Sequence, residues 1–158
     1  MEDHQGDWAY YIEAVYAVFR RDFISSHPRF ETSPVVCNTI QEDARETTFW
    51  HLVQRECRAT GDRIPDLRRC ERIPWPRPTI EHAVDPAVST WQTTRLRKSG
   101  APEVRVLLWI EHLDYLVVLA KKKSVMILVT AYCTDVEHQR RKLRKERDDC
   151  LRNAKTAL

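Results

Sequence analysis

The chain has 158 residues, 42% of them hydrophobic, which is enough for one domain to bury a core without metal or disulfide staples. Its formal net charge is +3, from 26 Lys and Arg against 23 Asp and Glu, so the overall balance selects no partner. No run reaches the roughly 18 apolar residues of a membrane span, the start Met-Glu-Asp-His-Gln-Gly-Asp is the reverse of a basic secretory leader, and five cysteines (37, 57, 70, 133 and 150) show no Cys-x-x-Cys pair. Reduced thiols in a cytoplasmic protein are the expectation, with no membrane partner, no metal and no cofactor.

In chain order, Trp8, Tyr11, Ile12, Val15, Val18, Phe19 and Phe23 recur at helical spacing, which predicts an amphipathic helix over 7–24 with Asp7 as its N-cap. That aromatic stripe reads as core rather than as a stacking platform. A Pro-marked loop follows over 25–33, then a short strand over 35–39. Phe49, Leu52 and Val53 give an apolar side to a second helix expected over 43–57. Residues 58–82 carry prolines at 65, 74, 76 and 78, which forbid a continuous helix across 74–78 and favour extended backbone, so a long Arg/Pro-rich loop is expected. The segment 88–94 reads as a strand or a helical turn, and 99–102 as a turn.

Three β-branched or aromatic runs then follow, 104–110, 115–120 and 125–132. Their connectors are short enough for hairpins, so antiparallel neighbours are predicted. Alternation along the third run puts Met126, Leu128, Thr130 and Tyr132 on one face, and Val125, Ile127, Val129 and Ala131 on a second, core-facing one. Thr134 and Glu137 have capping-box spacing at the head of a charged helix running to about Asn153. The predicted architecture is α+β: one domain over 1–158, with N-terminal helices (7–57) packed on a small antiparallel sheet (103–132), and a long basic C-terminal helix (135–153).

Charge is unevenly placed. Residues 1–94 hold 11 Lys and Arg against 15 Asp and Glu, whereas 95–158 hold 15 against 8. A positive C-terminal half suits a polyanion such as RNA, and an ion-paired helix face explains the same residues. With three glycines and no GxGxxG or Walker loop, a glycine-cradled nucleotide site is not expected. No paired carboxylates, His-x-x-x-His pattern or nucleophile elbow appears either.

What remains suits metal-independent RNA cleavage, in which a base takes the 2′-hydroxyl proton, cations stabilise the phosphorane and an acid protonates the leaving oxygen. His51 reads either as a half-buried histidine bonded to backbone or as that base. Arg68, Arg69 and Arg72 before Trp75 read as phosphate contacts with a stacking platform, or as salt bridges to Asp66, Glu71 and Glu81. Thr130 and Tyr132 end a strand and either face a phosphate or are satisfied locally. Lys121, Arg141 and Lys142 complete the candidate substrate-binding set.

The runs Leu116-Val117-Val118-Leu119 and Ile127-Leu128-Val129-Thr130-Ala131-Tyr132, with the helix Arg141-Lys142-Leu143-Arg144-Lys145-Glu146, resemble the C-terminal half of phage and mobile-element nuclease domains grouped with barnase, EndoU, colicin D and RelE. Phe49-Trp50-His51-Leu52 and Asp66-Leu67-Arg68-Arg69-Cys70-Glu71-Arg72-Ile73 are similar to further blocks, so the resemblance spans about 49–147. It implies helices on a four-stranded antiparallel sheet with RNA across the sheet. It also implies His51 as general base, the arginines as phosphate clamp, Arg69, Thr130 and Tyr132 in the catalytic set, and a toxin-like role with a cognate inhibitor protein. A second histidine is not placed, since His112 and His138 are both candidates. The alternative is a non-catalytic nucleic-acid-binding or inhibitory protein of a phage or mobile element.

Overall fold

The computed structural model describes residues 4–156; residues 1–3 of the acidic start and residues 157–158 lie outside it. The N-terminal stripe forms α1 (His4–Phe23), which places Ile12, Val15, Phe19 and Phe23 in the core. Short strands β1 (Arg29–Phe30) and β2 (Ser33–Val36) follow.

The second helix is much shorter than its pattern suggested. Asp43 and Ala44 both take positive φ (46° and 65°), which turns β3 (Gln41–Glu42) back onto β4 (Arg45–Glu46) as a tight hairpin. Helix α2 therefore covers only Thr47–Val53. Its exit is taken by β5 (Gln54–Glu56), which pairs with β6 (Arg63–Pro65) across a turn containing Gly61 at φ 76°.

The Arg/Pro-rich loop is a second departure, since it folds into two short helices. Asp66 caps α3 (Leu67–Glu71) by accepting from the amides of Arg68 and Arg69 at 3.0 and 3.3 Å. Helix α4 (Pro76–Glu81) starts on proline, whose missing N–H costs nothing in a first turn. No helix runs continuously across 74–78, as expected, but Pro76 and Pro78 are accommodated in the first turn of α4 instead of holding the backbone extended.

The sheet holds six strands in the order β1-β2-β10-β9-β8-β7, formed with β7 (Ser89–Leu96), β8 (Pro102–Ile110), β9 (Tyr115–Lys121) and β10 (Met126–Cys133). It is larger than expected and not wholly antiparallel, because β2 runs parallel to β10 with Val35 opposite Met126. A short 3-10 turn, Glu111–Leu113, joins β8 to β9, closed by Asp114 in the left-handed region at φ 52°. Helix α5 (Glu137–Thr156) ends the described chain. Mixed α and β elements with a mostly antiparallel sheet and a C-terminal helix are the architecture.

Two groups of buried side chains divide along the two faces. Residues of α1 to α4 share one cluster with Val106, Leu108, Val117, Leu119, Met126, Leu128 and Ala131. On the other face Trp91, Leu107, Trp109, Leu116 and Val118 pack with Val129, Tyr132, Leu143 and Cys150. Simple alternation fails along β10 because the pairing register slips between Leu128 and Thr130. That bulge moves Ala131 into phase with Met126 and Leu128, which face the larger cluster, and Tyr132 into phase with Val129, which corrects the predicted face assignment.

Thr134 is not a helix cap. It is fully buried, and its hydroxyl accepts from Trp109 Nε1 at 2.9 Å. Thr134→Val removes that acceptor and leaves a buried indole N–H unsatisfied, so urea denaturation should show a loss of about 1–3 kcal/mol. A change within a few tenths would mean that the indole finds another acceptor.

Candidate functional site

The site grows from the carbonyl end of α2. The last carbonyls of a helix lack intrahelical partners and need donors. Arg69, positioned by α3, supplies them: its Nη1 donates to the carbonyls of His51 at 2.8 Å and Gln54 at 2.7 Å. Thr130, at the β10 bulge, donates its hydroxyl to the same His51 carbonyl at 3.0 Å. The Arg69 guanidinium also lies 5.4 Å from the centre of the Tyr132 ring. His51, Arg69, Thr130 and Tyr132, from three separate stretches of chain, are thereby brought into one cluster. The contacts joining it run through the His51 backbone rather than its imidazole.

The electrostatics of the cluster are distinctive. Burial, followed by Arg63, pulls the His51 pKa below its ordinary value; Glu42 and a hydrogen bond with the Val129 backbone act the other way, and Arg69 lowers it further. The imidazole is therefore neutral at pH 7, with one ring nitrogen able to accept a proton. Burial likewise lowers the Arg69 pKa, partly offset by Asp66. Burial raises the Tyr132 pKa against the pull of Arg69 and Arg95, so the phenol keeps its proton at neutral pH.

Arg69 and Tyr132 open onto a polar cleft of about 680 Å³, lined also by Arg55, Arg58 and Arg68, with Asp66 and Asp135. Tyr132 and Gln139 also line an adjoining cavity of about 510 Å³ with Arg95, Lys142 and Lys145. The two meet at Tyr132, forming a groove from the β5–β6 hairpin to α5. Arg68 is ion-paired with Asp135, and Arg95 with Glu146. Arg58, Lys142 and Lys145 have no carboxylate partner among the described residues.

Helix α5 divides its cations by direction. Arg144 and Arg147 bind Glu111 at 2.6 and 2.9 Å, and Arg140 lies 3.3 Å from Asp114, so these three pin the helix to the sheet. Arg141, Lys142 and Lys145 are exposed. The ion-paired reading of the basic run thus holds for Arg140, Arg144 and Arg147.

Of the candidates, Arg68, Arg69, Tyr132 and Lys142 line the two cavities, His51, Thr130 and Arg141 line neither, and three others lie elsewhere. Arg72 sits 5.1 Å from the centre of the Trp75 ring, and Trp75 meets Tyr115 edge-on at 5.1 Å. Trp75 lines a separate, mainly apolar hollow with His82 and His112, away from Tyr132. Lys121 ends β9 five residues beyond Leu116, the partner of Tyr132, which at the usual strand rise is about 17 Å away. Sequence reasoning missed Arg55, Arg58, Arg95, Gln139 and Lys145. The one signal for the first two was Gly61, which marks a hairpin turn within the supposed loop. Among the described residues no group of three or more His, Cys, Asp or Glu is placed to hold a metal ion, and no helix is long and apolar enough to cross a membrane.

No protein-family model, curated protein or solved structure matches this chain.

Proposed function

We propose that the chain is a metal-independent endoribonuclease, a toxin-like cytoplasmic effector of a phage or mobile element that a cognate inhibitor protein holds in check. The observation that carries this reading is the Arg69 contact set, which links the His51 segment to Tyr132 at the floor of an arginine-lined groove. Neutral His51 takes the proton from a ribose 2′-hydroxyl. The freed oxygen attacks phosphorus, and the bond to the 5′-oxygen breaks as that oxygen takes a proton from the Tyr132 phenol. The products are a 2′,3′-cyclic phosphate and a 5′-hydroxyl end. Arg69 stabilises charge on the phosphorane, Arg68 and Lys142 hold the flanking phosphates, and Thr130 fixes the His51 backbone.

One observation favours the alternative of a binding protein without turnover. Arg69 Nη1 and the Thr130 hydroxyl are already spent on the His51 carbonyl. Incubating purified protein with RNA in excess EDTA separates the readings. Cleavage is the result expected of the enzyme; retention of intact RNA in a salt-sensitive complex identifies the binding protein.

A further inference from the structure

Lys121, which the groove does not use, belongs to a different assembly. The β7–β8 hairpin (97–101) and the β9–β10 hairpin (122–125) lie at the same end of the sheet, because Arg95 pairs with Glu103 and Arg105 with Ala120. Between them sits Glu103, whose side chain is only 10% exposed. Its carboxylate holds Arg97 at 2.9 Å, Arg105 at 3.1 Å and Lys122 at 3.2 Å. Lys98, Lys121 and Lys123 are exposed and have no carboxylate partner among the described residues. Six cations therefore gather at this end of the sheet, Arg97, Arg105 and Lys122 on Glu103, Lys98 in the first hairpin, and Lys121 and Lys123 at the second, where they and Lys122 line a small cavity with the exposed Glu31.

We infer that these two hairpins form a second phosphate-binding surface, which grips the backbone of base-paired RNA at the end of the sheet beside the Tyr132 groove, where Glu103 is paired with the groove residue Arg95. Three features favour a phosphate backbone. Mutual repulsion of the cations is relieved by one carboxylate that fixes three of them, leaving the net field strongly positive. The three free lysines are point charges on flexible stems, which suit a regular array of phosphates rather than one carboxylate in a fixed geometry. Lys121 lies about 17 Å along β9 from the Tyr132 partner Leu116, so a duplex held by the hairpins places an unpaired flank at the groove. The choice of RNA rests on the ribonuclease reading. The surface itself rests on the Glu103 cluster.

The test uses the full chain and a fluorescent RNA hairpin fully 2′-O-methylated, which a 2′-hydroxyl mechanism cannot cut. Binding is followed by anisotropy between 50 and 200 mM salt. In the variant Lys98→Gln/Lys121→Gln/Lys123→Gln, whose three side chains are exposed, the log–log salt slope should fall by about 2.7. The advantage of wild type over variant should then shrink roughly 40-fold across that salt range, at about 0.9 for each phosphate no longer neutralised. An unchanged slope overturns the proposal, even where unmodified RNA is cut. A reduced slope with no cleavage of unmodified RNA supports this surface and removes the catalytic reading instead.

Discussion

Replacing His51 with alanine is expected to slow RNA cleavage roughly 10²–10⁴-fold, the range of a general base. The substitution is informative because of how His51 is held. Its backbone carbonyl, not its ring, receives Arg69 and Thr130, so the contacts that bring the cluster together survive the loss of the side chain. A drop in rate with an unchanged urea midpoint therefore reports the imidazole. The same group sets the pH profile. Burial and Arg63 place its folded pKa below the ordinary value of about 6.5, so the acid limb of kcat/KM should lie below pH 6.5 and vanish in His51→Ala. Its stability contribution has the same sign: it is complete above the unfolded pKa and is lost as pH falls through the folded one, because the unfolded chain takes up the proton first. A variant that keeps wild-type rate and pH profile would remove His51 as the base.

The largest effect on folding is expected at Trp109. This side chain is fully buried, donates to Thr134, and has Arg147 5.5 Å from its ring. It belongs to the smaller of the two clusters, where Trp91, Leu107, Leu116 and Val118 are its buried companions. Few neighbours can close a void there, so Trp109→Ala should cost about 3–5 kcal/mol and lower Tm by about 6–20 °C for a chain of this size. Arg147 loses the ring it lies against, so α5 should gain amide exchange ahead of the rest of the molecule. A loss below about 1 kcal/mol would show that α5 is held by the Glu111 ion pairs rather than by packing.

The three hairpin-linked strands were legible because a β-branched run with charged boundaries encodes a strand wherever it packs. The segment 88–94 was ambiguous, since Ser89, Thr90, Thr93 and Thr94 suit several conformations; its pairing with β8 decides the outcome. Helix α2 was overextended because an apolar stripe does not reveal where neighbouring backbone is captured by hairpins, and Asp43-Ala44 is not a strong turn signal. The bulge in β10 was hidden for the same kind of reason, since nothing in Leu128-Val129-Thr130 distinguishes a slip from continuous alternation. The four residues singled out for chemistry do come together, yet the means was illegible. Arg69 reaches the His51 segment by answering free helix carbonyls, a need created only once α2 ends at Val53. Trp75 and Arg72 went elsewhere because Pro76 starts a helix with Trp75 at its N-cap, where the indole meets Tyr115.

Whether the groove cleaves RNA through the 2′-hydroxyl is decided by offering the purified chain two RNAs of one sequence in excess EDTA, one unmodified and one 2′-O-methylated throughout. Only the unmodified strand should be cut, and its fragments should carry 2′,3′-cyclic phosphate and 5′-hydroxyl ends. Cleavage of both strands alike, or of the unmodified one only after a divalent cation is restored, would contradict a metal-independent 2′-hydroxyl mechanism.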